Sequence, residues 1–477
     1  MDTMVSIIVY TFVAIIGLAI ISFVALKIKD YINDIKLLNR QEISIIEKEK
    51  SIIIDLGKET AGLPDLDIDS PIDQTLLIAY GEHINDGSVR RIIGNRDFSF
   101  EFVAKAGKNN FLNPLKRIAG RYLEIFYKEK PTINYAGIRP VKYEHKVINK
   151  KYNDELIDRI NSICIDTLEL CMHEHYEDCP WREQALYALD SRNQMLCGYY
   201  AFEGSEFQKA NLLLLSQSIR SDGLLSICAP ADGDLGIPFF SLIYPIQVYE
   251  YIEHTGDRKI LEDVGETIEK IMNAFDKRVE ENNLISDLPS PYWNFYEWTE
   301  GSHNDYQIGS SGKQNVRYSL ILNCMYVYAH MFYDKMFSTK TDLERTKQAI
   351  KTCFYNKTTN TFNLYLDSNV GSVLGNSLAV LIGLGNQELC EKLKSSDELI
   401  PISLSMTTFL YDALLKSDPK NKTWILNDIK QKYSRMWNQG ATTFWETDKG
   451  FKDFNGAGSM CHGWSAIPVY YFNFIKN

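Results

Sequence analysis

Residues 177–195 read EDCPWREQALYALDSRNQM. Pro180 suits the first turn of a helix, where its missing N–H would be unpaired in any case. Asp178 precedes it, where a carboxylate can meet the helix N-terminus. The spacing therefore predicts a helix over 181–202. On such a helix Glu183 and Asp190 stand two turns apart on one face, roughly 10 Å along the axis, with Tyr187 between them. Two carboxylates on a helix made largely of Leu, Ala and Tyr are a poor fit to a solvated charge stripe. Burial raises the pKa of such an acid and equips it as a proton donor. Read for structure alone, the same residues supply a helix cap from Asp178 and an ion pair from Arg182.

Outward from this stretch, the hydrophobic period is helical from about residue 150 to the end. It predicts segments near 153–176, 181–202, 204–220, 239–256, 258–282, 313–337, 341–353, 371–383, 386–395, 402–416, 421–435 and 460–474. Twelve helices suit six helical hairpins closed into an (α/α)6 toroid over 149–477. An open solenoid would repeat a motif at fixed period, and none is present. The longer loops, 221–238, 284–312 and 436–460, would gather at one end of such a barrel, and long loops on a rigid scaffold are where function resides. Within them, GATTFWET (440–447) sets Glu446 beside Trp445, and GAGSMCHGWS (456–465) places His462 at the opening of the last helix. The stretch YWNFYEW (292–298) adds Trp293, Trp298 and another carboxylate. An indole beside an acid fits a sugar site, where the ring packs on pyranose C–H groups and polar groups fix the hydroxyls. Core packing of the same rings is the plainer alternative.

Upstream, residues 51–148 alternate apolar and polar positions between Gly, Asn and Pro turns, which predicts a small β-sandwich domain. Residues 30–50 read as an amphipathic, charged linker helix. Residues 4–26 (MVSIIVYTFVAIIGLAIISFVAL) form an uncharged apolar run, long enough to cross a bilayer core of about 30 Å. Lys27, Lys29, Lys36 and Arg40 follow it, so the C-terminal flank is expected to stay in the cytoplasm. The expectation is a single-pass membrane anchor over 1–29, the membrane as a partner, and a catalytic domain facing the cytosol. The alternative is an uncleaved export signal or an atypical N-terminus with no role in the fold.

The 477 residues carry a formal net charge of -11, with 45% hydrophobic and 24% charged residues. That composition excludes disorder of the whole chain. An acidic balance without a Lys/Arg block argues against nucleic acid as a partner, since such binding rests on basic side chains meeting phosphates. The 28 Tyr and 23 Phe suit stacking on ring-shaped ligands, and equally aromatic cores. Nine cysteines form no CxxC pair and are odd in number, so a disulfide framework is not expected. Free thiols at this density fit a reducing compartment. Cys171, His173, His175 and Cys179 imitate zinc spacing, but His173 and His175 would point to different sides of a helix, so no metal site is expected.

The run at 177–195 resembles the signature of the bacterial α-L-rhamnosidases, glycoside hydrolase family 78. The pieces at 292–298, 440–446 and 459–466 resemble the same family's loops in the same order. The likeness extends from about residue 52 to 475 and includes DLGKETAG (55–62) and IAYGE (78–82). It implies an (α/α)6 catalytic barrel and inverting hydrolysis of α-L-rhamnosides without a metal or organic cofactor. On that resemblance Glu183 is the general acid and Glu446 the general base. Asp178, Arg182 and Asp190 hold rhamnose hydroxyls, and Trp293, Trp298, Trp445 and His462 line the pocket. Inversion requires carboxyl groups about 6.5–9.5 Å apart, with water between. The expected partner is a small rhamnoside or oligosaccharide. The alternatives are a carbohydrate-binding protein on the same fold without turnover, and an (α/α)6 glycosidase of different sugar specificity.

Overall fold

The computed structural model describes residues 39–474 except 232, 234, 290, 300, 304–316 and 396. The described residues form two compact units that divide between Glu144 and His145. The anchor expected over 1–29 lies outside the described residues, and among these no helix is long and apolar enough to cross a membrane. The single-pass anchor, the membrane as a partner and the membrane-anchored placement facing the cytosol are corrected accordingly. They rested on an apolar run with basic residues after it, and apolarity over sufficient length is a requirement for a spanning helix, not evidence that one forms. The linker helix expected over 30–50 fails where it can be inspected. Ser44–Glu47 is a strand, β1, in which the β-branched Ile45 and Ile46 pair with Ile54 and Ile53 at a sheet edge.

The first unit is built on one long strand. Strand β2 (Ser51–Ser70) is joined by β3 (Gln74–Gly81), β4 (Ser99–Ala104), β5 (Gly107–Leu112), β6 (Ile118–Phe126) and β7 (Thr132–Pro140) in one antiparallel sheet of seven strands with β1. The first half of β2 lies between β1 and β6, and its second half between β5 and β7. At the change-over Gly62 pairs with both Ile118 and Pro140, and a Cβ there would run into the Arg139 carbonyl. The β-rich region expected over 51–148 is thus one main sheet turning about a shared strand, with two short two-stranded hairpins over residues 84–97. Two of the buried carboxylates inside it are held by cations: Asp65 accepts from Arg40 at 2.8 and 2.9 Å and from Arg139 at 2.8 Å. Glu124 accepts from Ser51, Lys48 and the Val89 N–H.

The second unit is helical. Its helices are α1 (Glu155–Leu170), α2 (Ala188–Ala201), α3 (Glu206–Ser216), α4 (Pro238–Thr255), α5 (Ile260–Asp276), α6 (Leu320–Phe337), α7 (Glu344–Phe354), α8 (Val373–Leu381), α9 (Gln387–Ser395), α10 (Thr407–Ser417), α11 (Lys422–Asn438) and α12 (Pro468–Phe472). Even-numbered helices pack on one another in the order α2, α4, α6, α8, α10. The ring closes through α12, which packs on α2 and whose Tyr471 hydroxyl donates to Asp412 of α10 at 2.9 Å. Sequence explains which helices go inside. Every residue of α8 is buried, whereas α5 buries a stripe that includes Ile260, Val264, Ile268, Ile271 and Phe275. Helices apolar all round belong in a core, and one-sided helices belong around it. The inner ring also holds a buried Arg192, which donates to Glu250 of α4 and Thr408 of α10. This is a six-hairpin barrel, with the segments preceding the inner helices brought to one end.

Several helix starts differ from expectation, and two of them shape the site. The helix expected from 181 begins at Ala188, because Gln184 takes a left-handed conformation (φ 54) and donates its N–H to Cys179. Pro180 therefore starts a turn, not a helix. Asp178 caps that turn by accepting from the Ala185 N–H at 2.9 Å. Glu183 and Asp190 consequently do not share a helix face. The last helix begins at Pro468, preceded by a 3-10 turn over Gly463–Ala466.

Candidate active site

The turn at 178–187 projects its side chains at the end of the barrel where the 440–467 segment returns. The two segments are stitched by backbone, since the Gly463 N–H donates to the Asp178 carbonyl at 2.8 Å. From the turn, Arg182 Nη2 donates to Glu446 Oε2 at 2.5 Å. The same oxygen accepts from the Ser459 N–H at 3.0 Å. The backbone of Glu446 is fixed as well: its N–H donates to the Ser459 carbonyl and its carbonyl accepts from Trp464 Nε1, both at 3.0 Å. Glu183 is treated differently. Its Oε2 accepts the Tyr187 hydroxyl at 2.9 Å, and the side chain is only partly buried.

Asp178 and Asp190, from the turn and the first turn of α2, converge on one imidazole. His462 Nε2 lies 3.9 Å from Asp178 Oδ2 and 3.9 Å from Asp190 Oδ1, and its ring stacks on Trp464 at 3.8 Å. All three are buried. Burial pushes both aspartates well above the ordinary carboxylate range, reinforced at Asp178 by Glu183 and at Asp190 by Asp178. Burial and the nearby Arg182 push His462 well below its usual range, so the ring is neutral. Glu446 is raised by burial, an effect opposed by Arg182 and by the Ser459 N–H. Burial works against the Arg182 charge, but Glu446 and the other acids outweigh it and hold the guanidinium protonated.

The structure brings Asp178, Arg182, Glu183, Asp190, Glu446 and His462 into one constellation. The tryptophans are arranged around it in different ways. Trp293 is buried and donates its indole N–H to the His303 carbonyl at 3.0 Å. Trp298 is half-buried and meets Phe295 at 4.7 Å and Phe454 at 4.9 Å. Phe454 belongs to the loop that follows Glu446, so this contact ties the 292–298 stretch to the second acid. Trp445 is only 3% exposed and packs beneath the loop, where a Cβ on Gly450 would come within 2.8 Å of the indole.

Three residues around the site were not legible as such. Ser459 acts through its backbone N–H, which no side-chain motif reveals. Cys228 sits close enough to Asp178 and Glu183 that burial and those two acids push its thiol up to about 11. The signal that could have found it is the bridge between Leu186 and Ala229, a tertiary fact. Glu297 is fully buried and its carboxyl is pushed up to about 7 by that burial. The zinc-like residues lie past the end of α1, and each imidazole has its own partner. His173 meets Glu177 at 3.2 Å, and His175 meets the Tyr176 carbonyl at 2.8 Å.

Residues 149–474 match the family described as the bacterial alpha-L-rhamnosidase 6 hairpin glycosidase domain. The structure is similar to that of the GH78 rhamnosidase of Bacillus sp. GL1, at 22% identity and a TM-score of 0.79, covering 92% of this chain and 48% of that one. It is similar also to a Klebsiella oxytoca rhamnosidase with rhamnose bound, at 18% identity and a TM-score of 0.72, covering 90% of this chain and 88% of that one. A third likeness is to the Streptomyces avermitilis alpha-L-rhamnosidase complexed with L-rhamnose, at 16% identity and a TM-score of 0.69, covering 92% and 43%. The chain spans about half the length of the Bacillus protein. No curated protein sequence matches it. The matched domain and the closed ring of helices together establish that this chain belongs to the bacterial α-L-rhamnosidase six-hairpin glycosidase family.

Proposed function

We propose that the protein is a glycoside hydrolase that removes terminal α-L-rhamnose from small glycosides or oligosaccharides by an inverting, single-displacement reaction. The observation that carries this reading is the unequal treatment of two carboxyl groups. Glu446 is buried and held by a guanidinium and a backbone N–H. Glu183 is partly open to solvent and touched by a phenol. Environments that set two acids apart assign them opposite tasks. Glu446, beside a fixed positive charge, is the group to take a proton from water. Glu183 is the group to deliver one to the departing oxygen. The C1–O bond breaks as the water oxygen bonds to C1 from the opposite face, and the leaving group departs as an alcohol. Asp178, Asp190 and neutral His462 offer acceptors to sugar hydroxyls, with Arg182 as donor, and Trp293, Trp298 and Trp445 furnish apolar wall. Bound rhamnose in the Klebsiella and Streptomyces relatives supports the choice of sugar.

The test is release of 4-nitrophenol from its α-L-rhamnoside, with the first-formed anomer followed by proton NMR. Expected is β-L-rhamnose as the initial product, and loss of about three orders of magnitude or more in kcat for Glu183→Gln and Glu446→Gln. Added azide should yield the β-L-rhamnosyl azide with Glu446→Gln. Initial α-L-rhamnose would sink the inverting mechanism. A folded protein that binds L-rhamnose without turnover would favour the binding-protein alternative.

A further inference from the structure

Glu297 takes no part in the chemistry above, yet it is among the most completely buried carboxylates in the helical unit. Its Oε2 accepts the Ser403 N–H at 2.8 Å, and its Oε1 makes no hydrogen bond among the described residues. Ser403 begins the 3-10 turn Leu404–Met406 that leads into α10, and its hydroxyl meets that of Ser405 at 2.8 Å. The Ser405 carbonyl accepts from Asn193 Nδ2 at 2.7 Å. Asn193 lies on α2, one turn beyond Asp190. A single turn, 403–405, therefore receives one anchor from the helix that carries Asp190 and another from the segment that carries Trp293 and Trp298. The rest of that segment is folded on itself: the Tyr296 N–H donates to the Ser302 carbonyl, and Trp293 Nε1 to the His303 carbonyl. Tyr365 further holds the Gly301 carbonyl at 3.1 Å. Of the bonds named for this segment, the Glu297–Ser403 bond joins it to the turn that also serves α2.

We propose that Glu297 is a positioning residue for this site: its carboxylate locks the 292–303 segment to the 403–405 turn, and so fixes the Trp298 wall relative to the hydroxyl-binding Asp190. The inference rests on the reading of the site as a rhamnoside pocket. Placing the wall before substrate arrives removes an ordering cost from binding. Glu297 touches neither reacting carboxyl, so its loss falls on substrate affinity and not on bond breaking. Only an acceptor at the Oε2 position is required, and glutamine keeps one.

The experiment compares Glu297→Ala, Glu297→Gln, Trp298→Ala and the double variant Glu297→Ala/Trp298→Ala on 4-nitrophenyl α-L-rhamnoside. L-rhamnose affinity is measured alongside by calorimetry, and thermal unfolding checks the fold. Expected for Glu297→Ala is a KM and an L-rhamnose Kd about tenfold higher with kcat within about threefold of the parent. Glu297→Gln is expected to return both constants to within about twofold, and the double variant to be no worse than Trp298→Ala, because the carboxylate acts through the indole. A fall in kcat at unchanged KM would overturn the proposal, as would failure of Glu297→Gln to rescue, or independent and additive effects of the two substitutions. Should the parent protein show no turnover, the functional reading fails, while the calorimetric comparison still decides the positioning role. Absence of any L-rhamnose binding by the parent would overturn both.

Discussion

Arg182→Met removes the charge that holds Glu446 while keeping an apolar stem in its place. The pair is enclosed, with side-chain exposures of 12% for Arg182 and 5% for Glu446, at 2.5 Å. Two unit charges about 4 Å apart attract by roughly 4 kcal/mol at an effective dielectric constant near 20. Water entering beside the shorter side chain returns part of that, and the remainder is withdrawn from the ionised form of Glu446. Burial already pushes Glu446 upward and Arg182 is the main opposing influence, so the variant leaves the carboxyl protonated over a wider range of pH. A protonated Glu446 cannot accept a proton from water. The acid limb of kcat/KM for 4-nitrophenyl α-L-rhamnoside should therefore move to higher pH, with the loss of activity greatest on the acid side and recovering in part as the pH rises. Stability offers a second readout, since removing one partner of a buried pair costs about 3–5 kcal/mol. Much of that loss should be absent when Arg182→Met is made in the Glu446→Gln background. An unmoved acid limb, or strictly additive losses of thermal stability in the double variant, would refute the reasoning.

Three further outcomes are expected. Tyr187→Phe deletes the hydroxyl that reaches Glu183 Oε2 at 2.9 Å. A hydrogen bond of this kind is worth about 0.5–1.5 kcal/mol, so kcat/KM should fall about two- to tenfold with the fold intact, and unchanged kinetics would remove Tyr187 from the site. Gly463→Ala drives a Cβ into the Gln194 amide, which itself donates to the Glu177 carbonyl at 2.8 Å. Overpacking of this kind costs about 1–3 kcal/mol, and a melting temperature equal to the parent's would contradict the close approach. Burial pushes the Asp287 carboxyl up to about 7, against an ordinary value of 3.8. Its folded-state pKa is thus raised, so its stabilisation is complete below the unfolded pKa and is lost as pH rises through about 7. Between about pH 5 and 6 stability should fall by nearly 1.4 kcal/mol per pH unit for this one group, the slope halving near pH 7 and fading above it. Asp287→Asn, which keeps an acceptor for Tyr296, should flatten that dependence relative to the parent, and parallel melting curves across this range would refute it.

The local pattern of apolar residues carried the class of the second unit. Each of the twelve expected helical segments coincides with a helix, because a period of 3.6 is written residue by residue and needs no knowledge of the partner. The same pattern separates α8, buried throughout, from the one-sided α5, and so sorts inner from outer helices. The candidate acids were also visible, since carboxylates beside Trp, Pro and Gly in apolar surroundings stand out by composition alone. Local signals misled where context decides. Pro180 looks like a helix start, but the left-handed Gln184 closes a turn there and delays the helix to Ala188. Ile45 and Ile46 sit in a charged, helix-like stretch, yet an available strand edge recruits them. Residues 4–26 are apolar enough to suggest a membrane, but a pattern in one segment does not determine what surrounds it.

What the tertiary structure alone decided is who meets whom. Arg182 and Glu446 lie 264 positions apart in the chain and 2.5 Å apart in space. Asp178 and Asp190 share one histidine only because the final segment returns to the first inner helix. A sequence records the chemical type of each side chain and the periodicity of its neighbours. The distance between acids, the charge beside each and the burial that shifts their protonation are properties of the closed ring, because ring closure determines which groups lose their water together.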